Sequence, residues 1–418
     1  MTRIISLLLL LISPACFANF LLIPMDNTQT NHLKAYGLSY ILLKGDIDVD
    51  WLLNYRGGSF MVQYSRSIEK ECKLRAISYE IISDATSQQI ASQISSPNVN
   101  MDVVKLHKAA KIAVYSPIKI SPSEFENTDA VLLVLKYAEI PFDVIYDEEI
   151  LKGDLPKYDW LHLHHEDFTG QYGRNLRRTT EADIKAQEAI ASRFGYAKVP
   201  QMKLAVAKLI KEFCAGGGFL FAMCSGAETF DIALAADGVD IVENIDGDGV
   251  DPNAQSKLDF SKTFAFYNFK LQLDEYDGMS FSDINSSAGG FRGWGDSSNP
   301  SFFTLFDFSA KWDVIPAMLV QNHENLVREF FGQTTAFTKR TVKPSVLVMG
   351  TSSSSDRYIY GEMGRGQWTF YGGHDPEGRG GGGRRMPTDL NLYPNSPGYR
   401  LILNNILFPS ARKKKRKT

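Results

Sequence analysis

Two residues of this chain are best placed to do chemistry, a cysteine and a histidine. In "FLFAMCSGAETFDIALA", residues 219–235, a short apolar run ends at Met223 and passes through Cys224-Ser225-Gly226 into a helix-like pattern. A strand, one sharp turn and a helix with the nucleophile at the apex form a nucleophile elbow. Such an elbow exposes the thiol on a rigid support. The helix N-terminus then stabilises the thiolate, and its backbone N–H groups can hold an oxyanion. Ser225 and Gly226 add little bulk at the turn. The bland alternative is a small buried core residue, the usual state of a free cysteine.

A cysteine nucleophile needs a histidine base and a group to orient it. The chain has seven histidines: His32, His107, His162, His164, His165, His323 and His374. His374 lies in "FYGGHDPEG", just past a strand-like run, where Gly372 and Gly373 permit close backbone approach. Asp375 adjoins the histidine and is expected to point away from it, so Glu377, beyond Pro376, is the expected orienting acid and Asp375 the reserve. A Gly/Pro/Asp turn carrying a solvated histidine is the competing reading.

"HLHHED", residues 162–167, is a second cluster. In a strand His162 and His164 share one face and His165 points to the other. His164, His165 and Glu166 are expected to line the pocket beside Cys224. A zinc site from His162, His164 and a distant carboxylate is chemically acceptable, but no third ligand is evident locally and no metal ligand is assigned. "EGRGGGGRRMP", residues 377–387, is a glycine loop in which Arg379, Arg384 and Arg385 could clamp an anionic substrate group or ride on a lid; a plain surface loop is the alternative. "NIDGDGVDPN" lacks the twelfth-position glutamate of an EF-hand and reads as a turn.

The elements that must position these residues follow from periodicity. "KIAVYSP", "PFDVIYD", "YDWLHLHHEDF" and "GFLFAM" read as strands, with helices over "TDAVLLVLKYAEI" and "PQMKLAVAKLIKEFCAGG". Alternating strands and helices imply a parallel sheet covered on both faces, with active sites beyond the carboxyl ends of the strands. The alternation is lost from about Asp237 to Arg340, which reads as an insertion. It resumes with "PSVLVMG", "RYIYGEM" and "GQWTFYGGHDPE", and "GYRLILNNILF" closes the chain as a helix. Upstream, "LLIPMDNTQTNHLKAYGLSYILLK" predicts a strand and then a helix to about Leu43, capped by Thr28 or Thr30. Two strands flank Gly57-Gly58, and 86–100 reads as a linker or helix-loop.

The start, Met1-Thr2-Arg3 followed by an apolar core and small residues to Ala18, predicts a secretory signal peptide over 1–18. Lipidation of Cys16 is the alternative. The predicted plan is an N-terminal α+β unit over 19–107, an α/β domain over 108–408 with an insertion at about 237–342, and a basic tail over 409–418. Export implies a periplasmic or extracellular location. Removal of the leader leaves Cys72, Cys214 and Cys224, an odd number for an oxidising compartment. With 45 basic and 48 acidic side chains the formal charge is −3, so no nucleic-acid footprint is present. The tail Arg412-Lys413-Lys414-Lys415-Arg416-Lys417 reads as solvated, with a membrane-surface contact as the other option.

"AMCSG" around Cys224 and "GHDPEG" around His374 resemble the Cys–His–Glu motifs of the class I glutamine amidotransferase-like superfamily, G-x-C-x-G and H-P-E. The resemblance covers about 108–235 and 343–408. Ala222 stands at the first glycine of that pattern, and Asp375 lies between His374 and Pro376-Glu377. The whole chain resembles exported bacterial proteins commonly labelled asparagine synthetase B, through "IPMDNTQTNHLKAYGL", "GGHDPE" and "NSPGYRLILNNILFP". The resemblance implies a flavodoxin-like parallel sheet and a Cys224–His374–Glu377 (or Asp375) triad, with oxyanion donors at Ser225 and near Glu166. The chain has neither an S-G-G-x-D-S loop nor an initial Met-Cys-Gly. The expectation is therefore a stand-alone hydrolase of a small-molecule or peptide amide, needing no cofactor. A non-catalytic binding protein on the same fold and a histidine-ligated metal hydrolase are the alternatives.

Overall fold

The computed structural model describes residues 19–117, 129–164, 166–171, 180–242, 249–273, 280–286, 302–313, 320–328, 334, 336–377 and 388–411. The chain opens with β1 (Asn19–Ile23), α1 (His32–Lys44), β2 (Val49–Leu53), β3 (Ser59–Gln63), α2 (Arg66–Leu74), β4 (Glu80–Ser83), α3 (Asp84–Ser95) and β5 (Asp102–Leu106). These strands form an antiparallel sheet in the order β4-β1-β3-β2-β5. The cap of α1 is Asn31, whose side chain accepts from the Lys34 amide, and not Thr28 or Thr30. Both threonines are engaged elsewhere: Thr28 on Asp26 and Thr30 on the Ala76 carbonyl. The polar stretch 86–100 is mostly helical, lying in α3.

The second part runs β6 (Ile112–Tyr115), α4 (Ala130–Tyr137), β7 (Asp143–Ile145), α5 (Asp147–Leu151), β8 (Trp160–Leu163), α6 (Glu181–Arg193), α7 (Val199–Ala215), β9 (Phe219–Met223) and α8 (Cys224–Ala235). It continues with α9 (Ala254–Lys257), β10 (Phe302–Leu305), β11 (Leu326–Arg328), β12 (Phe337–Thr338), β13 (Leu347–Thr351), β14 (Ser355–Met363), β15 (Gly366–Tyr371) and α10 (Pro397–Leu407). The strands make one mixed sheet ordered β11-β10-β13-β14-β15-β9-β8-β6-β7, with β12 on β14. From β15 to β7 all neighbours are parallel; from β15 back to β11 they are antiparallel.

Two expectations need correction here. The region read as an insertion contributes β10 and β11 to the main sheet itself. The segment after 343 does not resume the α/β alternation. It is an antiparallel meander, β13-β14-β15, whose last strand docks parallel to β9. A two-residue link, Gly364-Arg365, is enough for β14 to turn into β15, whereas a parallel crossover would need a dozen or more residues.

Period-two alternation sorts the central strands onto two apolar faces. Trp160, Phe221, Met223 and Tyr371 face α1, α4 and α10, whereas Leu161, Leu163, Leu220, Ala222 and Phe370 face α7 and α8. The N-terminal unit and the sheet domain share the first of these cores. Gly37 of α1 permits the contact, because a Cβ there would lie 1.9 Å from the Ala138 carbonyl oxygen. Arg400, fully buried in α10, donates to Tyr36 Oη and to the Met25 and Gly57 carbonyls, tying the two parts together. Cys72 and Cys214 are buried thiols that form no disulfide with each other, and Cys224 is a buried thiol as well. Among the described residues no helix is long and apolar enough to cross a membrane.

Candidate active site at the carboxyl ends of β8, β9 and β15

Cys224 sits where β9 turns directly into α8. Met223 is extended, and Cys224 itself has φ 51, in the left-handed region. For a residue bearing a Cβ this costs about 1–2 kcal/mol and persists only where the surroundings enforce it. The enforcement comes from the chain leaving β8. The Gly226 amide donates to the His164 carbonyl at 2.6 Å, and a Cβ on Gly226 would lie 2.3 Å from that oxygen. One turn on, Thr229 Oγ1 donates to the Glu166 carbonyl at 2.7 Å. The apex itself is buried. Cys224 and Ser225 are each 1 % exposed, so the thiol is not presented to solvent as the elbow pattern predicts.

His374 follows β15, the other neighbour of β9. The Gly372 and Gly373 amides donate to the Arg357 and Thr334 carbonyls, and Gly373 takes φ 115, open to a residue without a side chain. The His374 ring lies 4.4 Å from the His164 ring, centroid to centroid. The ends of β8 and β15 therefore meet across the elbow of β9.

The acids after His374 shape its loop. Asp375 accepts from Tyr399 Oη at 2.7 Å, Thr388 Oγ1 at 2.6 Å and the Glu377 amide at 3.0 Å, so both its oxygens are engaged. Glu377 Oε1 accepts from Ser396 Oγ at 2.6 Å, and Ser396 is the N-cap of α10.

Glu166, expected to line the pocket beside Cys224, turns its carboxylate onto the His164 amide at 2.6 Å, and burial pushes its carboxyl up to about 7. An acid two residues from an amide can close such a local ring more cheaply than it can stay solvated in a buried loop. His165, Arg379, Arg384 and Arg385 lie outside the described residues, as do the leader and the tail beyond 411.

His162 and His164 project from the same face onto a carboxylate that local pattern did not single out. Asp129, the N-cap of α4, holds the Val131 and Leu132 amides with Oδ1. Its Oδ2 lies 3.2 Å from His162 Nε2 and 3.1 Å from His164 Nδ1, with all three side chains fully buried. Burial pushes the Asp129 carboxyl up, but the His164 and His162 rings more than reverse this and hold it well below the usual range. Burial likewise lowers both rings; Asp129 outweighs it for His164, which is raised, and not for His162, which is lowered. Among the described residues these three are the group whose donor atoms, all within 4.8 Å of one another, could hold a metal. The sequence did carry a signal for Asp129: an acid immediately before the apolar helix "AVLLVLKY" is an N-cap pattern.

No family model matches the chain, and no curated protein matches it. Solved structures do match, at low scores. Cytoplasmic protein STM3548 from Salmonella typhimurium is 12% identical with a TM-score of 0.36, covering 72% of this chain and 100% of that one. The GH42 β-galactosidase Gan42B is 11% identical with a TM-score of 0.26; the match covers 64% of this chain but only 28% of the enzyme. Cytoplasmic protein STM1381 from Salmonella typhimurium LT2 is 8% identical at 0.30, covering 63% and 88% of the two chains.

Proposed function

We propose that the chain is an exported Cys–His–acid hydrolase of amidotransferase-like type, acting on an amide-type bond and built on a flavodoxin-like half-sheet. The observation that carries this is Cys224 held at φ 51 where a central parallel strand turns into a helix. The parallel strands β7-β6-β8-β9-β15 support the flavodoxin-like part, since their order in the chain reads 2-1-3-4-5. Export rests on the leader-like residues 1–18.

In this reading Cys224 Sγ attacks the amide carbon while His374 takes the thiol proton, and the tetrahedral intermediate then expels the amine, protonated by His374. Water, with His374 as base, hydrolyses the resulting thioester. Glu377 positions the imidazole. The Gly226 amide is committed to His164, so the oxyanion donors fall to the Ser225 amide and the backbone near Glu166. With the thiol buried, substrate access requires side chains at the mouth of the site to move.

Alkylation followed by peptide mass mapping tests the reading. Burial pushes the Cys72 and Cys214 thiols up to about 12, which makes them slow internal references. Cys224 is expected to label at least roughly tenfold faster at neutral pH, and to lose that advantage in His374→Ala. Labelling no faster than Cys72 and Cys214 in the unmodified protein would sink the proposal. An amide and peptide library assayed beside Cys224→Ala would then name the substrate.

A further inference from the structure

We infer that Asp129, His162 and His164 form a binding site for a zinc-type divalent cation, at the point where the strand order of the sheet reverses between β6 and β8. The inference does not depend on the Cys224 chemistry.

The geometry is that of a ligand set with its supporting contacts in place. His162 Nδ1 lies 3.1 Å from the Phe221 carbonyl oxygen. A carbonyl only accepts, so Nδ1 carries the hydrogen, and in the neutral ring the lone pair is on Nε2. His162 Nε2 lies 3.2 Å from Asp129 Oδ2 without the alignment of a hydrogen bond. Two electron-rich atoms thus confront each other at zero exposure. Protonating Nε2 would relieve the contact, but it would bury an imidazolium beside the His164 ring, already drawn to the same carboxylate oxygen. One divalent cation answers all three donors at once.

The distances agree. Around a four-coordinate zinc with bonds of about 2.0–2.1 Å, neighbouring ligand atoms stand about 3.3 Å apart. The two contacts here are 3.2 and 3.1 Å. The outer contacts agree as well. A metal-bound histidine commonly donates its second nitrogen to a backbone carbonyl, and a ligating carboxylate is itself hydrogen-bonded. His162 does the first and Asp129, through Oδ1, the second. Two imidazoles and one carboxylate favour zinc or a neighbouring transition ion over magnesium or calcium, which prefer all-oxygen sets. Three protein donors leave one position for a water or a further group.

The strand order explains why this place suits a cation. β6 lies between β7 and β8, so Asp129 and the two histidines stand at the point where the strand order reverses, the place where open parallel sheets commonly bind ligands. A bound ion would pin the start of α4 to the end of β8. It would also fix the His164 ring against His374, 4.4 Å away.

The test uses the tag-free full chain. Elemental analysis is expected to find about one zinc-type ion per chain, and chelation to lower the melting temperature until Zn²⁺ is restored. Co²⁺ added to the apoprotein should give the visible absorption of a tetrahedral site. Asp129→Asn keeps a good N-cap residue, and with His162→Gln it is expected to cut metal content at least tenfold, whereas Cys224→Ala retains the ion. An apoprotein whose melting does not respond to Zn²⁺ or Co²⁺ would overturn the inference, whatever the variants do. So would unchanged metal content in the folded Asp129→Asn chain.

Discussion

Replacing Gly226 by alanine tests the clamp that forces the elbow. The added Cβ would stand 2.3 Å from the His164 carbonyl oxygen and 2.9 Å from its carbon. An ordinary contact is near 3.4 Å, so about 1 Å of separation is needed, and both sides are buried backbone that cannot rotate away. Overpacking of this kind costs about 1–3 kcal/mol. Stretching the 2.6 Å Gly226–His164 hydrogen bond adds about 1 kcal/mol. Alanine's better helix propensity returns about 1 kcal/mol. The net loss is about 1–3 kcal/mol, or roughly 1–4 °C in Tm for a chain of this size. Gly45→Ala is the control, since its nearest neighbour would be an ordinary 3.4 Å away and its φ is −90. Thermal melts of both variants, with the rate of Cys224 alkylation, make the assay. If Gly226→Ala melts with the wild type and labels at the same rate, the close approach does not hold the elbow, and the reasoning fails.

A buried acid one turn beyond the elbow makes stability pH-dependent. Burial raises the Glu228 carboxyl from 4.5 to about 7, even though Ser282 and Thr334 hydroxyls donate to it at 2.6 and 2.7 Å. Between those values the folded chain holds a proton that the unfolded chain has lost, so stability falls as pH rises from about 4.5 to 7 and is flat above. Glu228→Gln removes a cost of about 3 kcal/mol at pH 8 and none at pH 4. Denaturant melts at the two pH values that show equal differences would refute it. Asp147, fully buried, pairs with Lys203 Nζ at 2.5 Å and accepts from Tyr115 Oη at 2.5 Å. Asp147→Asn strands the lysine charge and is expected to cost about 3–5 kcal/mol, read as a lower denaturation midpoint. A double variant, Asp147→Asn with Lys203→Met, should recover most of that loss; a cycle without coupling would count against the pair.

Several features needed only local sequence. The runs "IAVY", "WLHL" and "FLFAM" had to be strands buried on both faces, because a parallel sheet covered by helices leaves no strand position for a solvated side chain. The three do lie side by side as parallel neighbours within the mixed sheet. The elbow at Cys224 was legible because a strand pattern gave way to a helical one within a residue, with small residues at the turn. The loop at His374 was legible from its glycines.

What tertiary structure alone decided was adjacency. Asp129 meets His162 and His164 because β6 pairs with β8 and not with β9, a choice made by the burial of whole strand faces rather than by any neighbour in sequence. β15 lies parallel to β9 although it arrives by a hairpin, and only that docking brings His374 to within 4.4 Å of His164. The burial of Cys224 is of the same kind. Periodicity reports how one segment presents its side chains, whereas exposure depends on what packs against it. Around this elbow the end of β8 closes on the first turn of α8 through Gly226 and Thr229.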